Sequence, residues 1–135
     1  MSLRLETARR LLVKARDDCY MLMRVVDDPS APVWALGFHA QQAVEKSLKA
    51  VLAAHGVEYP LTHNLSLLLA KLAAQGLGGP PDSGELPQLT PFGVAFRYDD
   101  ASEAEEVNLD RTWTKACVDR TLTWAEAQLA ALGDS

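Results

Sequence analysis

The sequence predicts an all-α fold: an up-and-down bundle of three long helices with one or two short helices inserted between the second and the last. Two observations carry this. Three long stretches repeat apolar residues at the helical period, separated by turn chemistry, and no β-branched or aromatic run alternates with period two.

In the first stretch Leu5, Ala8, Leu12, Ala15, Cys19, Leu22 and Val26 recur at alternating steps of three and four, with Arg9, Arg10, Lys14, Arg16 and Asp17 on other faces. Asp27 to Ser30 supply a turn, and Pro32 is suited to open the next helix because its first position needs no N–H. That helix carries Leu36, Ala40, Val44, Leu48 and Val51 on one side and ends at His55-Gly56, where glycine can take the left-handed conformation.

Thr62 is placed to cap a short third helix containing Leu65, Leu68, Leu69 and Leu72. The run from Gly76 to Gly84 reads as an exposed loop. Leu86, Leu89, Phe92 and Phe96 predict another short helix, broken or kinked by Pro91 and Gly93. Ser102 and Glu105 form a capping-box pattern ahead of a long terminal helix with Val118, Leu122, Ala125, Leu129 and Leu132.

The chain has 135 residues, 48% of them hydrophobic, enough for one domain over 1–135 with a core that needs no disulfide. Cys19 and Cys117 are expected as reduced thiols of a cytoplasmic protein, since the charged opening stretch Met1 to Lys14 does not read as a leader. No apolar run is long enough to span a bilayer. A net charge of −5 argues against an extended DNA-binding surface.

The most informative residues lie on the second helix. His39, Gln42, Lys46 and Lys49 are spaced three, four and three, which gathers them into one stripe opposite the apolar face, and Glu45 stands four residues before Lys49. Such a stripe reads either as a solvated face or as a surface for phosphates and bases. Other chemistries lack their residues. No glutamate is followed three residues later by histidine, as di-iron bundles require, and the cysteines and histidines follow no zinc spacing, so no metal and no cofactor are expected. Gly78-Gly79-Pro80-Pro81 lacks the lysine of a phosphate loop. Trp34, Trp113 and Trp124 read as core or interface anchors, and Glu103, Glu105 and Glu106 as carboxylates complementing a helix dipole.

The stretch Phe38-His39-Ala40-Gln41-Gln42-Ala43-Val44-Glu45-Lys46-Ser47-Leu48-Lys49-Ala50 resembles the signature helix of HEPN domains. Thr62-His63-Asn64-Leu65 and Arg97-Tyr98-Asp99-Asp100 are similar to two further segments of that family, in the same order. The resemblance implies a HEPN-like bundle that forms a homodimer, associates with nucleotides or RNA, and works with a small nucleotidyltransferase partner in a toxin–antitoxin-like pair. Some members are metal-independent ribonucleases with an arginine four to six residues before a histidine. Here His39, His55 and His63 all lack an arginine in that window, and Lys49 before His55 has no planar fork to hold a phosphate. The binding candidates are therefore His39, Gln42, Lys46, Lys49 and His63. No catalytic residue is assigned, and His39, His63 and Arg97 would be the groups of a diverged ribonuclease. A ligand-free structural adaptor is the third reading.

Overall fold

The computed structural model of the protein describes residues 3–93 and 108–133. Helix α1 spans Leu3–Val25, α2 Val33–Ala54, α3 Leu65–Ala74, a 3-10 segment Leu86–Gly93, and α4 Arg111–Gly133. There are no strands among the described residues, as the missing period-two alternation predicts.

Apolar periodicity decides which faces are buried. Ala8, Leu12, Ala15, Leu22 and Val26 of the first repeat join Leu36, Ala40, Val44, Leu48 and Val51 of the second and Val118, Ala125 and Leu129 of the last in one core cluster. Arg111, at the start of α4, donates to the Val26, Asp28 and Ala31 carbonyls, while Arg16 of α1 pairs with Glu126 further along α4. These contacts show α4 running antiparallel to α1. Helix α2 also runs back along α1 after the short turn at 26–32, and the connection from 55 to 110 returns the chain so that α2 and α4 point the same way.

The expected helix ends need three adjustments. Gly56 does adopt φ 70°, and the Val57 and Gly56 amides bond back to Leu52 and Ala53, so glycine closes α2 as expected. Pro32 sits at the N-cap, one residue earlier than expected. Thr62 does not cap α3. Asn64 does, accepting from the Ser66 amide, because it is the residue immediately outside the helix, and Thr62 accepts instead from the Asn64 amide. The terminal helix is capped by Asp110, whose carboxylate accepts from the Trp113 amide, rather than by the Ser102–Glu105 pattern, which lies outside the described residues along with Phe96 and Glu103 to Glu106.

The Leu86–Gly93 segment is a 3-10 helix with Pro91 inside it. Proline lacks the N–H of a regular ladder, and the tighter helix lets Leu86, Leu89 and Phe92 all turn inward. Phe92 rests on Gly37 of α2 so closely that a Cβ at position 37 would overlap the ring. The Thr90 hydroxyl accepts from the Leu65 amide at the start of α3, so this segment fastens α3 to α2. Cys19 and Cys117 are free and buried, and burial pushes the Cys117 thiol up to about 12.

Candidate functional site

Helix α2 is the hub of the bundle, touching α1, α3, the 3-10 segment and α4. With neighbours on every side it has no fully solvated face. His39, Gln42, Lys46 and Lys49 are therefore half-buried, and the expectation that their stripe lies opposite a single apolar face is corrected: Gln41 and Glu45 between them are buried too.

The polar groups form two networks, each centred on a buried carboxylate. In the first, Asp18 of α1 accepts from His39 Nδ1 at 3.0 Å and from Lys46 Nζ at 2.6 Å. In the second, Glu45 Oε1 accepts from Gln41 Nε2 at 3.0 Å and His63 Nδ1 at 2.8 Å, and Glu45 Oε2 accepts from Lys49 Nζ at 2.9 Å. Gln41 also donates to the His63 carbonyl and accepts from Gln42. The helix places these side chains by spacing: Gln41, Glu45 and Lys49 lie on one line at steps of four.

Burial on its own would raise the Glu45 carboxyl. Hydrogen bonds from Gln41, Lys49 and His63, with the Lys49 charge, outweigh it and hold the group below its ordinary value. The site thus keeps an ionised carboxylate inside the protein. Burial and the nearby Glu45 charge act the other way on Tyr59, raising its hydroxyl, and the Lys49 ammonium lies 5.7 Å from the Tyr59 ring centroid.

Chemically, the two histidines share one arrangement. A carboxylate accepting from Nδ1 fixes the imidazole tautomer and leaves Nε2 as the outward atom, able to accept a proton or, once protonated, to donate one. His63 is 54% exposed and His39 29%, whereas Glu45 is 5% and Asp18 12%, so in each pair the orienting group is inside and the imidazole reaches solvent. Lys46 and Lys49 add positive charge, each beside a carboxylate that already accepts from it. Arg97 lies outside the described residues. Among the described residues no group of three or more histidine, cysteine or acidic side chains is placed to hold a metal ion.

The residues that are similar to HEPN segments, 38–50 and 62–65, are the ones that meet at Glu45 and His63. A family model described as "HEPN domain" matches residues 5–127. The chain belongs to the HEPN domain family. Searches of curated proteins and of solved structures gave no match. The all-helical architecture is that of a HEPN bundle, and family membership brings a nucleotide- or RNA-related function at the level of the family.

Two residues central to this HEPN site were missed by sequence reasoning. Asp18 carried a signal: it falls three residues after Ala15 and four before Leu22, an acid within the core-facing period of α1. Gln41 likewise falls four residues after Gly37 and three before Val44, on the buried side of α2. A surface cavity of about 310 Å³ beside Phe92 and Trp113 is lined by Glu85 and Asp110, with no basic side chain among the described residues, so it offers nothing to an anionic ligand.

Proposed function

We propose that this HEPN domain is a homodimeric binding module for nucleotides or RNA that works with a small nucleotidyltransferase partner, in a toxin–antitoxin-like pair. His63, held at Nδ1 by buried Glu45 and 54% exposed, is the observation that carries the ligand-binding part. His39 on Asp18 repeats the device, and Gln42, Lys46 and Lys49 supply hydrogen-bond donors along the same helix. An imidazole held in one tautomer loses little freedom on meeting a phosphate oxygen or a base edge, which favours binding by preorganisation. Family membership supports the nucleotide connection.

Titration calorimetry with mononucleotides and short RNAs tests this. Wild type is expected to bind, and His63→Ala to lose about tenfold in affinity, the scale of one charge-assisted hydrogen bond. No binding to the folded wild type by any of these ligands would reject the module. Co-purification with the product of an adjacent nucleotidyltransferase gene tests the partner separately.

The two carboxylate-held imidazoles favour a second reading, a metal-independent ribonuclease, because acid–base catalysis needs proton-carrying groups of fixed orientation. RNA cut in the presence of chelator by wild type, but not by His39→Ala or His63→Ala, would select this reading over binding alone.

A further inference from the structure

His63 does not lie on a helix. It belongs to the connection between α2 and α3, where residues 58–64 have no helical hydrogen-bond ladder, and its side chain is 54% exposed. An exposed imidazole on such a connection keeps one position only if the interior grips it at more than one point, because ordering it costs conformational entropy.

The second grip comes from Gln41. Its Nε2 donates to the His63 carbonyl at 2.9 Å and to Glu45 Oε1 at 3.0 Å, and the same Glu45 oxygen accepts from His63 Nδ1 at 2.8 Å. These three bonds close a ring. Gln41 holds His63 by its backbone, Glu45 holds it by its imidazole, and Gln41 holds Glu45. A carbonyl and an ionised carboxylate only accept, so the Gln41 carboxamide has one workable orientation, and its Oε1 is left to accept from Gln42 Nε2 at 2.8 Å.

Gln41 is itself pinned. It is fully buried, and Gly93, at the end of the 3-10 segment, lies against its carboxamide: a Cβ at position 93 would stand 2.8 Å from Gln41 Cδ and 2.9 Å from Nε2. That is closer than packed atoms approach, so the missing side chain is what lets the segment close over the amide. The end of a glutamine ordinarily swings aside at little cost, but here swinging breaks three hydrogen bonds in the interior. Phe92 on Gly37 and Gly93 on Gln41 thus cover successive positions of the line Gly37, Gln41, Glu45 and Lys49 on α2.

We infer that Gln41 is a positioning residue for His63, and that Gly93 fixes Gln41 by closing the 3-10 segment over its carboxamide. This rests on the binding role proposed above and deepens it, naming what holds the imidazole ready before a ligand arrives. Its first test needs no ligand.

Nitrogen-correlation spectra of the histidine rings, recorded at alkaline pH where imidazoles are neutral and assigned with His63→Ala, read the tautomer directly. Wild-type His63 should show one form, with its proton on Nδ1. Gln41→Met should mix the two forms, and Gly93→Ala should do so in smaller measure, since Gly93 has no positive φ and an alanine there acts only through its methyl on Gln41. A residue that merely stabilises the fold leaves the tautomer of the folded protein unchanged, so circular dichroism is recorded on the same samples. With the mononucleotides and short RNAs, Gln41→Met should lose up to the about tenfold expected of His63→Ala, and the double variant no more than His63→Ala alone, because both act through one group. Wild-type His63 populating both tautomers, or folded variants keeping the wild-type tautomer, overturns the positioning role. A wild type that fixes the tautomer yet binds none of these ligands removes the binding role and leaves the positioning role standing. A Gln41→Met chain that does not fold leaves Gly93→Ala to decide.

Discussion

Glu45 is the residue on which the second network depends, since it accepts from Gln41, Lys49 and His63 together. Glu45→Ala would leave the Lys49 ammonium without its acceptor in a nearly closed space and leave Gln41 with only the His63 carbonyl, at a cost of about 3–5 kcal/mol in urea denaturation. Because the folded protein holds this carboxyl below its ordinary value of 4.5, the unfolded chain binds a proton more readily. The stabilisation is therefore complete above that value and disappears as pH falls through the lower folded one, and Glu45→Gln should flatten this acid limb of a stability-against-pH curve. Cys117 gives a different residue-scale test. Its thiol, raised to about 12, has almost no thiolate at neutral pH, so iodoacetamide should leave it unmodified in the native protein and label it after denaturation. Helical spacing alone gathers His39, Gln42, Lys46 and Lys49 in the sequence, and only the resemblance of Thr62 to Leu65 adds His63. Their partners were less legible, for Asp18 comes from another helix and chain separation hides a contact that only packing creates.

Among the elements, the fold was most legible where periodicity is long. The apolar repeats of α1, α2 and α4 name most of the residues that are buried, since a 22- or 23-residue amphipathic pattern has one way to satisfy itself. Caps were less legible: Thr62 and Asn64 are both competent, and Ser102 and Asp110 are too, so the choice falls to whichever residue tertiary packing leaves at the boundary. The 3-10 segment lies between these extremes, with its apolar residues visible and its contact with Gly37 invisible. Gly37→Ala would drive a methyl into the Phe92 ring and should cost about 1–3 kcal/mol by thermal denaturation, with Phe92→Leu in the same chain recovering part of the loss. Arg111 had no sequence signal at all, yet its guanidinium reaches three carbonyls of the α1–α2 connection. Arg111→Lys keeps the charge but not the fork, and a loss of about 2 kcal/mol is expected together with faster amide exchange at Ala31.

At the scale of the whole molecule, α2 touches each of the other described elements, so none of these is an obvious unit that can leave the bundle alone. Tryptophan fluorescence and far-ultraviolet circular dichroism should report the same urea transition, and for a dimer its midpoint should rise with protein concentration. No helix among the described residues is long and apolar enough to cross a membrane. Family membership explains what kind of molecule this is, and the packing of α2 against α1 and α3 explains why its polar residues keep fixed positions.

Both lysines of the site already hold an anion, Asp18 for Lys46 and Glu45 for Lys49. Under the binding role proposed above, an incoming phosphate would share each ammonium with a carboxylate that stays in place, since each lysine gives one bond to its carboxylate and keeps two further N–H donors. The neighbouring carboxylate's negative charge would oppose that phosphate, which would lower affinity compared with an unpaired lysine. A surface built this way would favour a ligand that is readily released, and the same pairs hold α2 to α1 and to the start of α3 without any ligand.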